Sequence, residues 1–139
     1  WGLYDCTYSI SSHTMTCTPT NTAVSSPFNR SNYVSGNNTG LLGPLTAQNN
    51  PAFSGVPFQG PIPPGNYTIG PQLPKSSRRN LIPDPVNNMQ GRNSFQIHGC
   101  GNPNTCSQGC IAATTNATRD RLNSLLSQEE GNNILHVVP

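Results

Sequence analysis

The stretch His98–Ile111 reads HGCGNPNTCSQGCI and places a histidine, a serine and three cysteines on one glycine-rich segment. A thiol attacks a carbonyl carbon well only as the thiolate, and a nearby imidazole is a common acceptor for the thiol proton. His98 and Cys110 are therefore the predicted base and nucleophile of a thiol enzyme.

The five cysteines divide into two predicted pairs and one free thiol. Cys6 and Cys17 flank a segment in which apolar and polar residues alternate, so a β-hairpin would set the two cysteines opposite each other. Cys100 and Cys106 bracket the turn-prone sequence GNPNT, and a disulfide there would close a small ring and stiffen the loop. Cys110 is left as the free thiol.

Two other interpretations of this cysteine cluster stay open. His98, Cys100, Cys106 and Cys110 are residue types that ligate zinc, although their spacing lacks the short knuckles of structural zinc sites. Cys110 is also compatible with a buried structural thiol. The thiol-enzyme interpretation predicts that the protein uses no metal and no cofactor.

Composition indicates a protein that works outside the cytoplasm. Only 9% of the 139 residues are charged, whereas ordinary globular domains carry about 25%, and paired cysteines are typical of oxidising compartments. The net charge of +2 gives no argument for nucleic-acid binding, and no stretch is apolar enough for membrane insertion. We therefore expect one secreted domain over residues 1–139. Because the chain begins at Trp1 rather than methionine, we expect a processed piece with any signal upstream.

Strands outnumber helices in the predicted secondary structure. One alternating strand ends at His98, and a proline-rich turn leads into another strand near Tyr67. Asn116–Gln128 is the one clear helix, because its leucines recur at helical spacing, and Ile134–Val138 is a final strand. The expected fold is mostly β, with a single main helix after the active-site loop.

The pair His98–Gly99 and the SxGCI element Ser107–Ile111 together resemble the active-site signature of YkuD-type L,D-transpeptidases. The short gap between the two elements is most similar to the branch used as type VI secretion effectors, the Tlde-like antibacterial toxins. Two further segments, Asn49–Ala52 and Val56–Tyr67, also resemble that branch. The resemblance implies a β-sandwich with one helix packed near the active-site loop.

The resemblance also implies a reaction on peptidoglycan. Enzymes of this kind form a thioester between the catalytic cysteine and the meso-diaminopimelate residue of a tetrapeptide stem, and they release the terminal D-alanine. Transfer to water is L,D-carboxypeptidase action, and transfer to an amine, such as a free D-amino acid, is transpeptidation or exchange. The implied protein is an antibacterial toxin that acts in the periplasm of a target bacterium and has a cognate immunity protein.

Residue by residue, the resemblance assigns Cys110 as the nucleophile and His98 as the general base. Ser107 matches the motif serine, with a predicted role in orienting the imidazole or hydrogen-bonding the substrate. The backbone N–H groups of Gly109 and Cys110 are the predicted oxyanion donors, since backbone donors need no reorganisation. Gly99 is a predicted substrate contact.

The chain departs from housekeeping relatives just after the Cys-Ile pair. Those relatives usually have an arginine there, whereas this chain has Ala112 and Ala113. The substrate carboxylate must then be bound by a cation from elsewhere, and Arg78, Arg79 and Arg92 are the predicted candidates.

Two other functions stay open. A papain-like wall peptidase or amidase is one, although its cysteine normally precedes its histidine, which is the reverse of the order here. A disulfide-stapled, non-catalytic wall-binding module is the other, and it predicts that replacement of Cys110 leaves function intact.

Overall fold

The computed structural model describes residues 4–20, 26–37, 47–56, 59–100, 107, 109–128 and 133–139. Within these ranges the chain forms nine β-strands, one short 3₁₀ turn at Pro51–Phe53 and one α-helix, α1, at Asn116–Gln128. The strands are β1 Tyr4–Ser9, β2 Thr14–Pro19, β3 Phe28–Arg30, β4 Tyr33–Ser35, β5 Gly65–Gln72, β6 Arg79–Pro83, β7 Gln96–Gly99, β8 Ile111–Ala113 and β9 Asn133–Val138. The mostly β fold with one main helix is confirmed, and the helix has the predicted bounds.

All nine strands belong to one sheet, in the order β3-β2-β1-β9-β5-β6-β7-β8-β4. The pairs β1–β9 and β7–β8 are parallel, and the other neighbours are antiparallel. The sheet curls back on itself, because its edge strands β3 and β4 are joined by Ser31 and Asn32 alone. Phe28 and Tyr33 from these edges pack edge-to-face, with ring centroids 6.4 Å apart. The two layers of the expected sandwich are thus two sides of one nearly closed sheet.

The N-terminal hairpin pairs Cys6 with Cys17, and a disulfide joins them. Both side chains are fully buried in the core, so the bond links the inward faces of β1 and β2. Cys100 is disulfide-bonded as well, and its predicted partner, Cys106, lies outside the described residues. A zinc site that includes Cys100 is excluded, because the metal ligand is a thiolate and this sulfur is in a disulfide.

The helix α1 packs its apolar stripe against the inward face of the sheet. Leu122, Leu125 and Leu126 are buried in the main core, and their spacing of three and four residues places them on one side of the helix. No helix in the described part of the chain is long and apolar enough to cross a membrane.

Arg79, the first residue of β6, ties the helix to the sheet. It is 1% exposed, and its guanidinium donates to Asn123 Oδ1 at 2.7 Å, to the Gly70 carbonyl at 3.1 Å and to Ser127 Oγ at 3.1 Å. A buried guanidinium with these partners is not available to a ligand. Arg79 is therefore a structural residue, which corrects the expectation that it binds the substrate carboxylate.

Arg79→Met should lower the free energy of unfolding by about 3 kcal/mol, because hydrogen bonds to a charged group contribute about 1.5–3 kcal/mol each and the substitution leaves buried acceptors unpaired. Urea denaturation measures the change. Arg121→Met is the matched control, since Arg121 lies exposed on the same helix, and its effect should stay within about 0.5 kcal/mol. Equal stabilities of the two variants would contradict the structural role.

Candidate active site

The two strands that carry the predicted catalytic pair are parallel neighbours. His98 on β7 pairs with Ala112 on β8, so Cys110, just before β8, lies opposite Gln96. Gln96 and His98 are two residues apart and share one face of the sheet. Cys110 is thus one strand over and two residues along from His98, a separation of about 8 Å between Cα atoms at ordinary strand spacing and rise.

The outward face around His98 is lined by small apolar side chains. Val34, Cys100 and Ala112 form a buried cluster that is separate from the main core, and His98 itself is 5% exposed. Ala112 has no exposed surface, so an arginine at this position would have to displace its neighbours. The buried cluster beside the histidine thus fits a small side chain at position 112, where this chain departs from the housekeeping relatives.

The His98 imidazole is oriented by a backbone carbonyl. Its Nδ1 lies 2.7 Å from the oxygen of Gly99, and a carbonyl oxygen only accepts, so Nδ1 carries the proton. Burial lowers the pKa of His98, the nearby charge of Arg78 lowers it further, and the bond to Gly99 opposes both effects. The neutral ring keeps a lone pair on Nε2, as a general base must.

Cys110 is a partly buried free thiol. Burial raises its pKa, and the backbone N–H of Gln96 and the positive charges of Arg78 and Arg92 act in the opposite direction. Among the described residues, the hydrogen bonds of the thiol and of the imidazole run to backbone groups rather than to each other. The directions of these two pKa shifts both favour the neutral forms, a protonated thiol and an uncharged imidazole.

Ser107 has a structural role in the turn that leads into Cys110. Its hydroxyl is fully buried, donates to the Cys110 carbonyl oxygen, and accepts from the N–H groups of Gly36 at 3.0 Å and Gly109 at 3.2 Å. One donor and two acceptor positions are all that a hydroxyl has. This corrects the expectation that Ser107 orients the imidazole or contacts the substrate.

The two predicted oxyanion donors, the N–H groups of Gly109 and Cys110, differ because Ser107 bonds only the first of them. The Gly109 N–H is bonded to Ser107 Oγ, which corrects its assignment as an oxyanion donor, and the Cys110 N–H stays a candidate. Gly109 has φ +133°, and a Cβ there would lie 2.5 Å from Arg92 Nη2 and 2.6 Å from Phe95 Cε1. Glycine is thus required by backbone conformation and by close packing under the nucleophile.

Arg92 supports this turn from below. Its guanidinium donates to the carbonyls of Ser54 at 2.6 Å, Pro61 at 2.7 Å and Gly60 at 3.0 Å, and it lies over the Phe95 ring at 5.1 Å. These contacts connect Ser54, Gly60 and Pro61 to the Arg92 and Phe95 side chains that lie against Gly109. Arg92 is therefore a supporting residue whose charge acts on Cys110 from a distance, which corrects its assignment as a carboxylate ligand.

Two residues that were not predicted to belong to the site, Ser35 and Asn49, hold the turn on its other side. Ser35, at the end of β4, donates its hydroxyl to the Gly109 carbonyl at 2.8 Å and accepts from Ile62 N at 2.9 Å. Asn49 holds Ser35 in turn, through Oδ1 at 3.0 Å and its own N–H at 2.8 Å. Asn49 belongs to a segment that the family resemblance singles out, whereas no local pattern marks Ser35. In the other such segment, residues 57–58 lie outside the described residues.

Arg78 is exposed beside the catalytic pair. Its Nη1 donates to Gln96 Oε1 at 3.0 Å, which places the guanidinium on the face that His98 shares. Gly99 contributes its carbonyl to the imidazole, and a Cβ there would lie 2.6 Å from Arg119 Cδ. A direct contact of Gly99 with substrate stays a prediction.

Comparison with known proteins gives a family and a fold. The family model of the Tlde1 domain matches residues 37–137, which include His98 and Cys110. No curated protein matches the chain significantly. The match confirms the resemblance to the Tlde-like effector branch, and the wider YkuD-type assignment stays a prediction.

Two solved structures with a similar fold are those of the helical cell shape determining protein Pgp2 from Campylobacter jejuni and of a point mutant of it. Their TM-scores are 0.64 and 0.61, and the sequence identity is 14% in both cases. Each alignment covers 98% of this chain and 47% of the Pgp2 chain. At this identity the similarity shows the fold alone, and the chain spans about half the length of Pgp2.

Alkylation of Cys110 by iodoacetamide, followed against pH without substrate, should have its midpoint above the value of about 8.5 that is usual for a free cysteine. The reason is that burial raises the pKa of this thiol. The rate should therefore increase with pH through the alkaline range. A midpoint well below that of a free cysteine would instead indicate a resting thiolate–imidazolium pair.

Gly109→Ala should destabilise the protein by about 1–3 kcal/mol more than Gly91→Ala, because only the former adds a clash to an unfavourable backbone conformation. Gly91 has φ +74° and open space within 4 Å of the position that a Cβ would take, so it is the matched control. Thermal or urea unfolding of both variants measures the difference. Equal destabilisation would show that Arg92 and Phe95 yield easily to the new methyl group.

Proposed function

We propose that this chain, which belongs to the Tlde1 domain family, is a thiol-dependent L,D-carboxypeptidase or L,D-transpeptidase that acts on peptidoglycan tetrapeptide stems. The observation that supports the proposal is the position of Cys110 directly before β8, next to the parallel strand β7 that carries His98. The Gly99 carbonyl fixes the imidazole with its lone pair on Nε2, so a nucleophile and a correctly protonated base occupy one face.

In the first half of the proposed reaction, Cys110 Sγ attacks the carbonyl carbon that joins meso-diaminopimelate to the terminal D-alanine. His98 Nε2 takes the thiol proton as the carbon–sulfur bond forms. The Cys110 N–H is the candidate donor to the oxyanion. His98 then gives its proton to the D-alanine nitrogen as the carbon–nitrogen bond breaks, and a thioester remains on Cys110.

In the second half, an acceptor replaces the sulfur. His98 takes a proton from water or from the amine of a free D-amino acid, and the acceptor attacks the thioester carbon. The carbon–sulfur bond breaks, and the sulfur recovers its proton from His98. Water yields a tripeptide stem, and a D-amino acid yields a stem with an exchanged terminal residue.

We further propose that residues 1–139 act as one catalytic domain, an antibacterial type VI effector in the periplasm of a target cell. The Cys6–Cys17 disulfide, the disulfide at Cys100 and the low charge content fit an oxidising compartment. Loss or capping of tetrapeptide stems deprives a growing wall of its donors. A producer that exposes its own wall needs an immunity protein, and the surface around Cys110 is the site such a protein would cover.

Mass spectrometry of purified tetrapeptide stems, with and without a free D-amino acid, tests the function. The protein should release or exchange the terminal D-alanine, and Cys110→Ala should abolish both products. His98→Gln should lower the rate by about 10²–10⁴-fold, the usual contribution of a general base. His13→Gln is the matched control and should keep full activity, because His13 lies exposed in the hairpin turn and bonds the Ser31 carbonyl.

The alternatives predict different results in the same experiment. Unchanged tetrapeptides in the presence of folded protein would favour a wall-binding module. Release that persists in Cys110→Ala would exclude the thiol mechanism.

A further inference from the structure

The three arginines considered for carboxylate binding have different environments. Arg79 is buried and bonded to the helix, and Arg92 is bonded to three backbone carbonyls. Arg78 has an exposed side chain. Of the three, Arg78 is therefore the one whose guanidinium faces solvent at the site.

Two amide side chains hold Arg78 in place on this face. Gln96 Oε1 accepts from Arg78 Nη1 at 3.0 Å, and Gln96 Nε2 donates to Asn80 Oδ1 at 2.9 Å. Gln96 is the residue opposite Cys110 in the parallel pairing. The guanidinium has five N–H donors, of which Gln96 receives one. The hydrogen-bonded side chains of Asn80 and Gln96 thus hold the Arg78 guanidinium beside Cys110.

The charge of Arg78 acts on both members of the catalytic pair. It lowers the pKa of the Cys110 thiol and that of the His98 imidazole. The hydrogen bond to Gln96, which lies opposite Cys110 and two residues before His98, places an anion bound by Arg78 on the face that carries both side chains.

We propose that Arg78 binds the carboxylate of the residue that leaves, which is the terminal D-alanine of the proposed substrate, and that Gln96 positions Arg78 for this contact. The inference rests on the proposed function and names the residue that would select the substrate. The nitrogen that leaves takes its proton from His98, and the D-alanine carboxylate is attached to the carbon next to that nitrogen. The carboxylate would therefore lie close to His98 and Cys110, where the Arg78 guanidinium can bind it.

This placement determines which stems are substrates. A guanidinium pairs with a carboxylate through two parallel hydrogen bonds, and an amide or a further peptide bond at the same carbon removes the charge. The protein should therefore prefer stems that end one residue after the scissile bond. Tetrapeptides with a free terminal carboxylate should react faster than amidated or extended stems.

Two alkylating reagents test the anion site without any assumption about the substrate. Iodoacetate carries a carboxylate and iodoacetamide is neutral, and both react with the same thiolate, so the ratio of their rates at Cys110 cancels any change in thiol pKa. Arg78→Gln should lower the iodoacetate-to-iodoacetamide ratio about tenfold, the size of one charge-assisted contact. Arg121→Gln removes the same charge from the exposed face of α1 and should leave the ratio unchanged. An unchanged ratio in Arg78→Gln overturns the proposal.

Tetrapeptide stems that end in D-alanine or in D-alanine amide test the specificity. The wild-type protein should have a higher kcat/KM for the acid, and Arg78→Gln should lose most of this preference through KM. Arg78→Lys should keep part of it, and Gln96→Leu should fall between Arg78→Gln and the wild type. Equal turnover of acid and amide by the wild-type protein overturns the proposal while leaving the proposed function intact. If neither stem is turned over, the proposed function fails, and the reagent ratio still decides whether Arg78 is an anion site.

Discussion

The parallel pairing of β7 with β8 is the constraint on which the site depends. Parallel neighbours need a connection that leaves the sheet and returns to the same end. The register of this pairing sets Cys110, directly before β8, opposite Gln96 and one strand from His98. Gln96 and His98 are two residues apart on β7, so their side chains lie on the same face of the sheet.

Buried hydroxyls fix the backbone of Gly109 and Cys110, directly before β8. Ser107 satisfies the Cys110 carbonyl and two N–H groups, and Ser35 satisfies the Gly109 carbonyl from the last strand of the sheet. Unpaired polar groups at these buried positions would each cost about 1–3 kcal/mol. The nucleophile is thus held by hydrogen bonds that the substrate does not need to supply. The motif serine belongs to the framework, and the orienting partner of the histidine is the Gly99 carbonyl.

Burial and nearby positive charges act in opposite directions on the Cys110 thiol. The thiolate is the form that oxidants and other disulfides attack. Burial keeps Cys110 protonated at rest, while Arg78, Arg92 and the Gln96 N–H limit the increase in its pKa. Burial also lowers the pKa of His98 and so favours the neutral imidazole, which has a free lone pair on Nε2. In the proposed reaction, the thiolate therefore forms by proton transfer from Cys110 to His98 once the substrate is bound.

Features that depend on local pattern could be predicted from the order of amino acids. Strand alternation around Cys6 and Cys17 indicated the hairpin, leucine spacing indicated the bounds of α1, and the motif around His98 and Cys110 indicated the family. The catalytic roles of His98 and Cys110 stay a prediction. The strand order and the separate roles of Arg78, Arg79 and Arg92 could not be predicted in this way and emerged from the folded chain. The physical reason is that burial and hydrogen-bond partners come from residues remote in the chain, as when Arg79 meets α1 and Ser35 meets Gly109.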